Sequence, residues 1–167
     1  MAIPASSFPR PGASGISRAI QNPLGVGIAV AGAAILLIST FLPLNESVMR
    51  IESNTLIQRR GWAIVFAAIG IAVTAVKYDQ TAKQAWFMPF LVFITLFLLA
   101  MQTHEAMNLT FYPLGDNGKP DASLPGVSAP LGIAVYVAAL GLFISASGMY
   151  NLWYTKQQLS KASDHAQ

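Results

Sequence analysis

The chain has 167 residues, 54% of them hydrophobic and only 10% charged, and a formal net charge of +3. Soluble domains carry about 25% charged residues, so this composition excludes an ordinary water-soluble fold. There is no cysteine, which excludes disulfides, thiolate metal sites, iron–sulfur clusters and thiol redox catalysis together. The basic residues are spread over the polar segments without forming a patch. Membrane topology explains them better than nucleic acid does, and no nucleic-acid partner is expected.

Residues 1–22 mix prolines and glycines with small polar residues, Arg10 and Arg18. They read as a flexible cytoplasmic arm, with a short interfacial helix over 14–20. The apolar run that follows is longer than the roughly 7–15 residues of a secretory leader, and no small-x-small cleavage site follows it. It is therefore a retained first span, 24–42. Pro23 opens it, at the position where proline suits a helix start, and Pro43 closes it by breaking the hydrogen-bond ladder. The polar loop 44–61 carries Glu46, Arg50, Glu52, Arg59 and Arg60, and a short amphipathic segment is expected over 48–57, on the bilayer surface or on the bundle.

The second span, 62–76, is short for a crossing and must borrow flanking residues; Arg59, Arg60 and Lys77 have stems long enough to snorkel. The short connection 77–85 makes an antiparallel hairpin with the third span, 86–101. A loop over 102–129 follows, rich in turn formers, including Gly-Asp-Asn-Gly at 115–118. The fourth span, 131–150, leads into Trp153, Tyr154 and a polar tail at 155–167.

None of these four runs contains a charged residue, and about 20 apolar residues cross the ~30 Å hydrocarbon core as a helix. The expected fold is all-α: an integral membrane protein with four transmembrane helices in an antiparallel bundle over 23–154 and two extracytoplasmic loops. Arg10, Arg18, Lys77, Lys83, Lys156 and Lys161 fall on one side, against Arg50, Arg59, Arg60 and Lys119 on the other. The positive-inside rule then places both termini in the cytoplasm of a multi-pass plasma-membrane protein.

Small residues recur at helical spacing on three spans: Gly27 with Ala31, Ala63 with Ala67 and then Gly70, and Ala134 with Ala138 followed by Gly141 and Gly148. Such faces let helix backbones approach where lipid offers no hydrophobic drive. They serve either packing within this bundle or docking onto helices of a larger partner. The third span instead presents Phe87, Phe90, Phe93 and Phe97, a bulky face suited to lipid or to a groove in a neighbour. Arg59, Arg60 and Trp62 are candidates for lipid headgroup contact at the outer interface.

His104-Glu105 has the start of a zinc-protease signature, but the position four residues after the histidine is Asn108, so the two ligands that must share a helix face are absent. The other histidine, His165, belongs to the tail on the opposite side. The spans hold hydroxyls but no ionisable group of the kind that marks a transport pathway. No catalytic residue, metal or cofactor is expected.

Phe41-Leu42-Pro43-Leu44 ending the first span, with an outer loop closing at Gly61-Trp62, resembles small four-span membrane proteins of unassigned function from high-GC Gram-positive bacteria. The resemblance covers the first two spans and implies no catalytic residues. It implies that an accessory role in a respiratory or lipid-transport assembly is a reasonable expectation. The leading expectation is thus a non-catalytic accessory or scaffold subunit, with larger integral membrane subunits and membrane lipids as partners. The alternative is a lipid- or quinone-binding membrane module that assists transport of an apolar molecule.

Overall fold

The computed structural model describes residues 21–45, 55–57, 61–81, 87–113, 115, 119, 121–128 and 130–164. Helix α1, Pro23–Ser39, starts as its sequence dictates: Asn22 caps it by accepting from the Gly25 N–H at 3.0 Å, and proline occupies the first turn. It ends at Ser39, short of the expected Leu42. The Ser39 and Thr40 hydroxyls donate back to the Leu36 and Leu37 carbonyls at 2.6 Å. Beyond them the chain is taken up by other partners. Ile57 N–H donates to the Thr40 carbonyl at 2.9 Å, and Pro43 bridges Thr55 in antiparallel fashion. Pro43 favours this extended path, because it disfavours helical backbone in the residue before it.

Leu56 is fully buried in the core, so the described end of the expected amphipathic segment lies on the bundle; residues 46–54 are outside the described residues. Helix α2, Trp62–Thr81, borrows flanking residues as its short apolar run requires. Helix α3, Phe87–Met107, continues past 101, and α4, Ile133–Asp164, continues past 150. Both extensions correct the expected boundaries. Residues 102–107 contain no glycine or proline, and none follows Gly148 in α4, so polar helix formers simply prolong each helix. The tail expected at 155–167 is helical through Asp164, while the arm at 1–20 and His165 lie outside the described residues.

Each of α1 and α3 packs between α2 and α4. Neighbours run antiparallel around a common apolar core that includes Leu36, Ile71, Leu91, Leu142 and Leu152. The outer surface is apolar as well: Phe66, Phe93 and Phe143 are each about 70% exposed, at 70%, 68% and 72%. A chain that is greasy outside and in suits a lipid solvent. Among the described residues, three helices are long and apolar enough to cross a membrane, within Trp62–Asp79, Phe87–Met107 and Ile133–Lys161. The equally apolar α1 has 17 residues.

The loop end carries a little β structure, which an all-α expectation does not include. Strands β1, Thr110–Phe111, and β2, Val127–Ser128, pair antiparallel, with Thr110 opposite Ser128. Between them, Gly115 N–H donates to the Lys119 carbonyl and Asp121 N–H to the Pro113 carbonyl, each at 2.9 Å. The Asp121 carboxylate accepts from the Ser123 hydroxyl at 2.7 Å and its N–H at 2.9 Å, and these bonds hold it below the usual carboxylate range.

Candidate functional site

Among the described residues, the most extensive helix–helix packing is the seam between α1 and α4. Gly25, Ala29, Gly32 and Leu36 line one side, and Ala138, Gly141, Ser145, Gly148 and Leu152 line the other. Steps of four and three residues keep these positions on one stripe of each helix, the spacing of a coiled-coil seam. A Cβ at Gly32 would sit 2.5 Å from Ser145 Oγ and 2.7 Å from the Gly141 carbonyl oxygen. One at Gly141 would sit 2.6 Å from the Leu36 nitrogen, and one at Gly148 would sit 2.8 Å from the Ala29 Cα. Backbone therefore lies against backbone. Ser145 adds a hydrogen bond across the seam, from its hydroxyl to the Ala29 carbonyl at 3.3 Å.

The residues singled out from the sequence separate into two groups. Gly141 and Gly148 lie on the seam, and Ala134 and Ala138 are fully buried on the same stripe of α4. Ala67 is buried, and Gly70 is half-buried with Leu91 Cδ2 at 3.5 Å from its would-be Cβ. Gly27, Ala31 and Ala63 are exposed, and nothing lies within 4 Å of a Cβ built on Gly27. The internal face of α1 is thus the Gly25–Ala29–Gly32 stripe, rotated away from the Gly27–Ala31 pair. Trp62 is 59% exposed at the start of α2; Arg59 and Arg60 lie outside the described residues.

A polar cluster that the spacing of small residues does not announce closes the end where α1 begins. Asp79 near the end of α2 is fully buried. Its carboxylate accepts from the Gln21 N–H at 2.6 Å and the Asn22 N–H at 2.9 Å. That places negative charge at the positive end of the α1 dipole. Asn22 Nδ2 donates to Asn151 Oδ1 at 2.9 Å and Thr155 Oγ1 at 3.1 Å on α4. Lys156 Nζ completes the knot, donating to Gln21 Oε1 at 2.6 Å and to the Asp79 backbone carbonyl at 2.7 Å. Three helices are tied by side chains distant in sequence. Only Pro23, at the helix start, was readable locally. Asn22→Ala is expected to lose the cap and both cross-helix bonds, about 1–2 kcal/mol. Denaturant unfolding in detergent measures it; an unchanged midpoint refutes a role for these bonds.

At the loop end, His104 and Glu105 are exposed on α3. Asn108 Nδ2 stands 3.3 Å from the His104 ring nitrogens and donates to the His104 carbonyl at 2.9 Å. No group of three metal-ligating side chains occurs among the described residues. Asn45, 2% exposed, donates to the Ala106 carbonyl at 3.3 Å. Its Oδ1 and the buried Gln102 Oε1 have no donor among the described residues.

The chain matches no protein-family model, no curated protein and no solved structure.

Proposed function

We propose that this chain is a four-span membrane protein with both termini in the cytoplasm, acting by binding as an accessory subunit whose α1 docks onto a membrane helix of a larger partner. One observation carries the reading: α1 bears small residues on two faces, and α4 occupies only one. The open face runs Leu24, Gly27, Ala31, Ala34 and Ile38, all exposed, again in steps of three and four. Lipid tails pack equally well against leucine, so a lipid-facing stripe has no use for a glycine and two alanines. A neighbouring helix does, because its backbone can approach. Helix α1 spans 17 residues, or about 25 Å at 1.5 Å per residue, and the turn that follows it completes the crossing.

Gly27→Leu combined with Ala31→Leu tests this. The Gly27 site has open space around it, so the variant is expected to keep wild-type helix content and thermal stability. It is expected to lose, at least tenfold, the larger membrane subunit that travels with the tagged full-length chain in mild detergent, as read by quantitative mass spectrometry. Undiminished recovery of that subunit with the variant refutes α1 docking. So does a wild-type particle whose mass is a multiple of this chain alone, which assigns the face to a second copy.

A further inference from the structure

Helices α3 and α4 part and leave an open groove of about 520 Å³, with no α1 residue in its lining. Met88, Pro89 and Val92 form one wall; Ala146, Met149 and Trp153 form the other. Ala146 contributes only a methyl group to its wall. Every wall is aliphatic, thioether or aromatic. Tyr150 borders it, its ring 5.9 Å from Trp153 and 6.2 Å from Tyr154, centroid to centroid.

We propose that this groove holds the headgroup-proximal half of one acyl chain of a membrane phospholipid, with the headgroup beside Trp153 and Lys161. The volume falls within the roughly 300–1,000 Å³ of small-molecule sites. Shape decides against a partner helix. From Ala146 to Trp153 the groove is about 10 Å long at 1.5 Å per residue, against about 16 Å for the helix–helix seam that runs from Gly25 to Leu36. A single hydrocarbon chain is far thinner. A quinone ring bound at depth needs donors for its carbonyls, and the polar groups of the lining residues, the Tyr150 hydroxyl and Trp153 indole, belong to the aromatic rim. Flexible thioethers on both walls adapt to a flexible chain.

The position fits as well. Trp153 and Tyr154 stand where aromatic belts meet headgroups. Exposed Gln157 and Lys161 follow Trp153 by one and two turns on the same side of α4, where they meet a phosphate. The site is separate from the open face of α1, so neither proposal depends on the other.

The full-length chain has three tryptophans. Trp62→Phe with Trp86→Phe leaves Trp153 as sole reporter, and Trp86→Phe with Trp153→Phe leaves the exposed Trp62 as a bulk-lipid control. In bilayers of phosphatidylcholine and chain-brominated phosphatidylglycerol, Trp153 is expected to reach half-quenching at no more than a third of the brominated fraction Trp62 needs. Ala146→Phe fills the groove from α4, and Val92→Phe fills it from α3. Either is expected to move the Trp153 curve onto that of Trp62 with helix content unchanged by circular dichroism. Lys161→Gln is expected to reduce the preference for the anionic lipid about twofold.

Coincident curves for Trp153 and Trp62 in the unfilled protein overturn the proposal, as does a Trp153 curve that ignores both filling variants. Should both variants lose helix content, native mass spectrometry of the detergent-washed wild type decides: one retained phospholipid per chain supports the site, and none overturns it.

Discussion

Gly32→Leu is expected to separate α1 from α4 and cost about 4 kcal/mol, near the upper end for single substitutions. Overpacking that displaces flexible side chains costs about 1–3 kcal/mol. At Gly32 the obstacles include the Ser145 backbone nitrogen and the Gly141 carbonyl oxygen, which belong to a rigid helix. The leucine fits only if the helices move apart, and then Gly141 loses Leu36 and Gly148 loses Ala29 along the same seam. Gly27→Leu on the same helix is the control. A Cβ there meets no atom within 4 Å, and the change gains helix propensity, on the order of 0.5–1 kcal/mol. Denaturant titration in detergent micelles, followed by circular dichroism, should separate the two variants clearly. Equal midpoints for both would show that the seam does not hold the bundle together.

Asp79→Leu is expected to cost about 3 kcal/mol, because it removes both acceptors for the Gln21 and Asn22 N–H groups. A buried donor left without a partner costs about 1–3 kcal/mol. Asp79→Asn keeps one acceptor oxygen and should lose roughly half as much. The Gln21 and Asn22 amides are expected to exchange with deuterium slowly in the wild type and quickly in both variants. Wild-type amides that already exchange freely would rule out the knot as a clamp on the start of α1.

The groove and the seam were legible to different degrees. Gly141 and Gly148 could be marked from spacing alone, because small residues at helical intervals have few uses in lipid. Which face of α1 turned inward could not. Gly25–Ala29–Gly32 and Gly27–Ala31–Ala34 are equally small, and the choice rests on where α4 lies. The groove is lined jointly by side chains of α3 and α4, which no single segment encodes. Asp79 is visible in the sequence as an acid just past the apolar run 62–76. Its burial against Gln21 and Asn22 needs α2 to end where α1 begins, a meeting of residues 57 and 58 positions apart.

Helix ends divide in the same way. Pro23 marks the start of α1 through local backbone chemistry. Its end at Ser39 rather than Leu42 depends on residues 55–57 arriving to bond with the segment around Pro43. The sequence by itself determined that the helices are apolar and free of charge along their central stretches, because burying an ion in hydrocarbon is costly wherever the helix sits. It also determined that no cysteine chemistry is available. Only the tertiary structure decided which small face is spent on α4 and which stays open, where the groove lies, and that Asp79 is buried. Each of these is a relation between separate helices, and short-range preferences along one chain segment do not specify its neighbours.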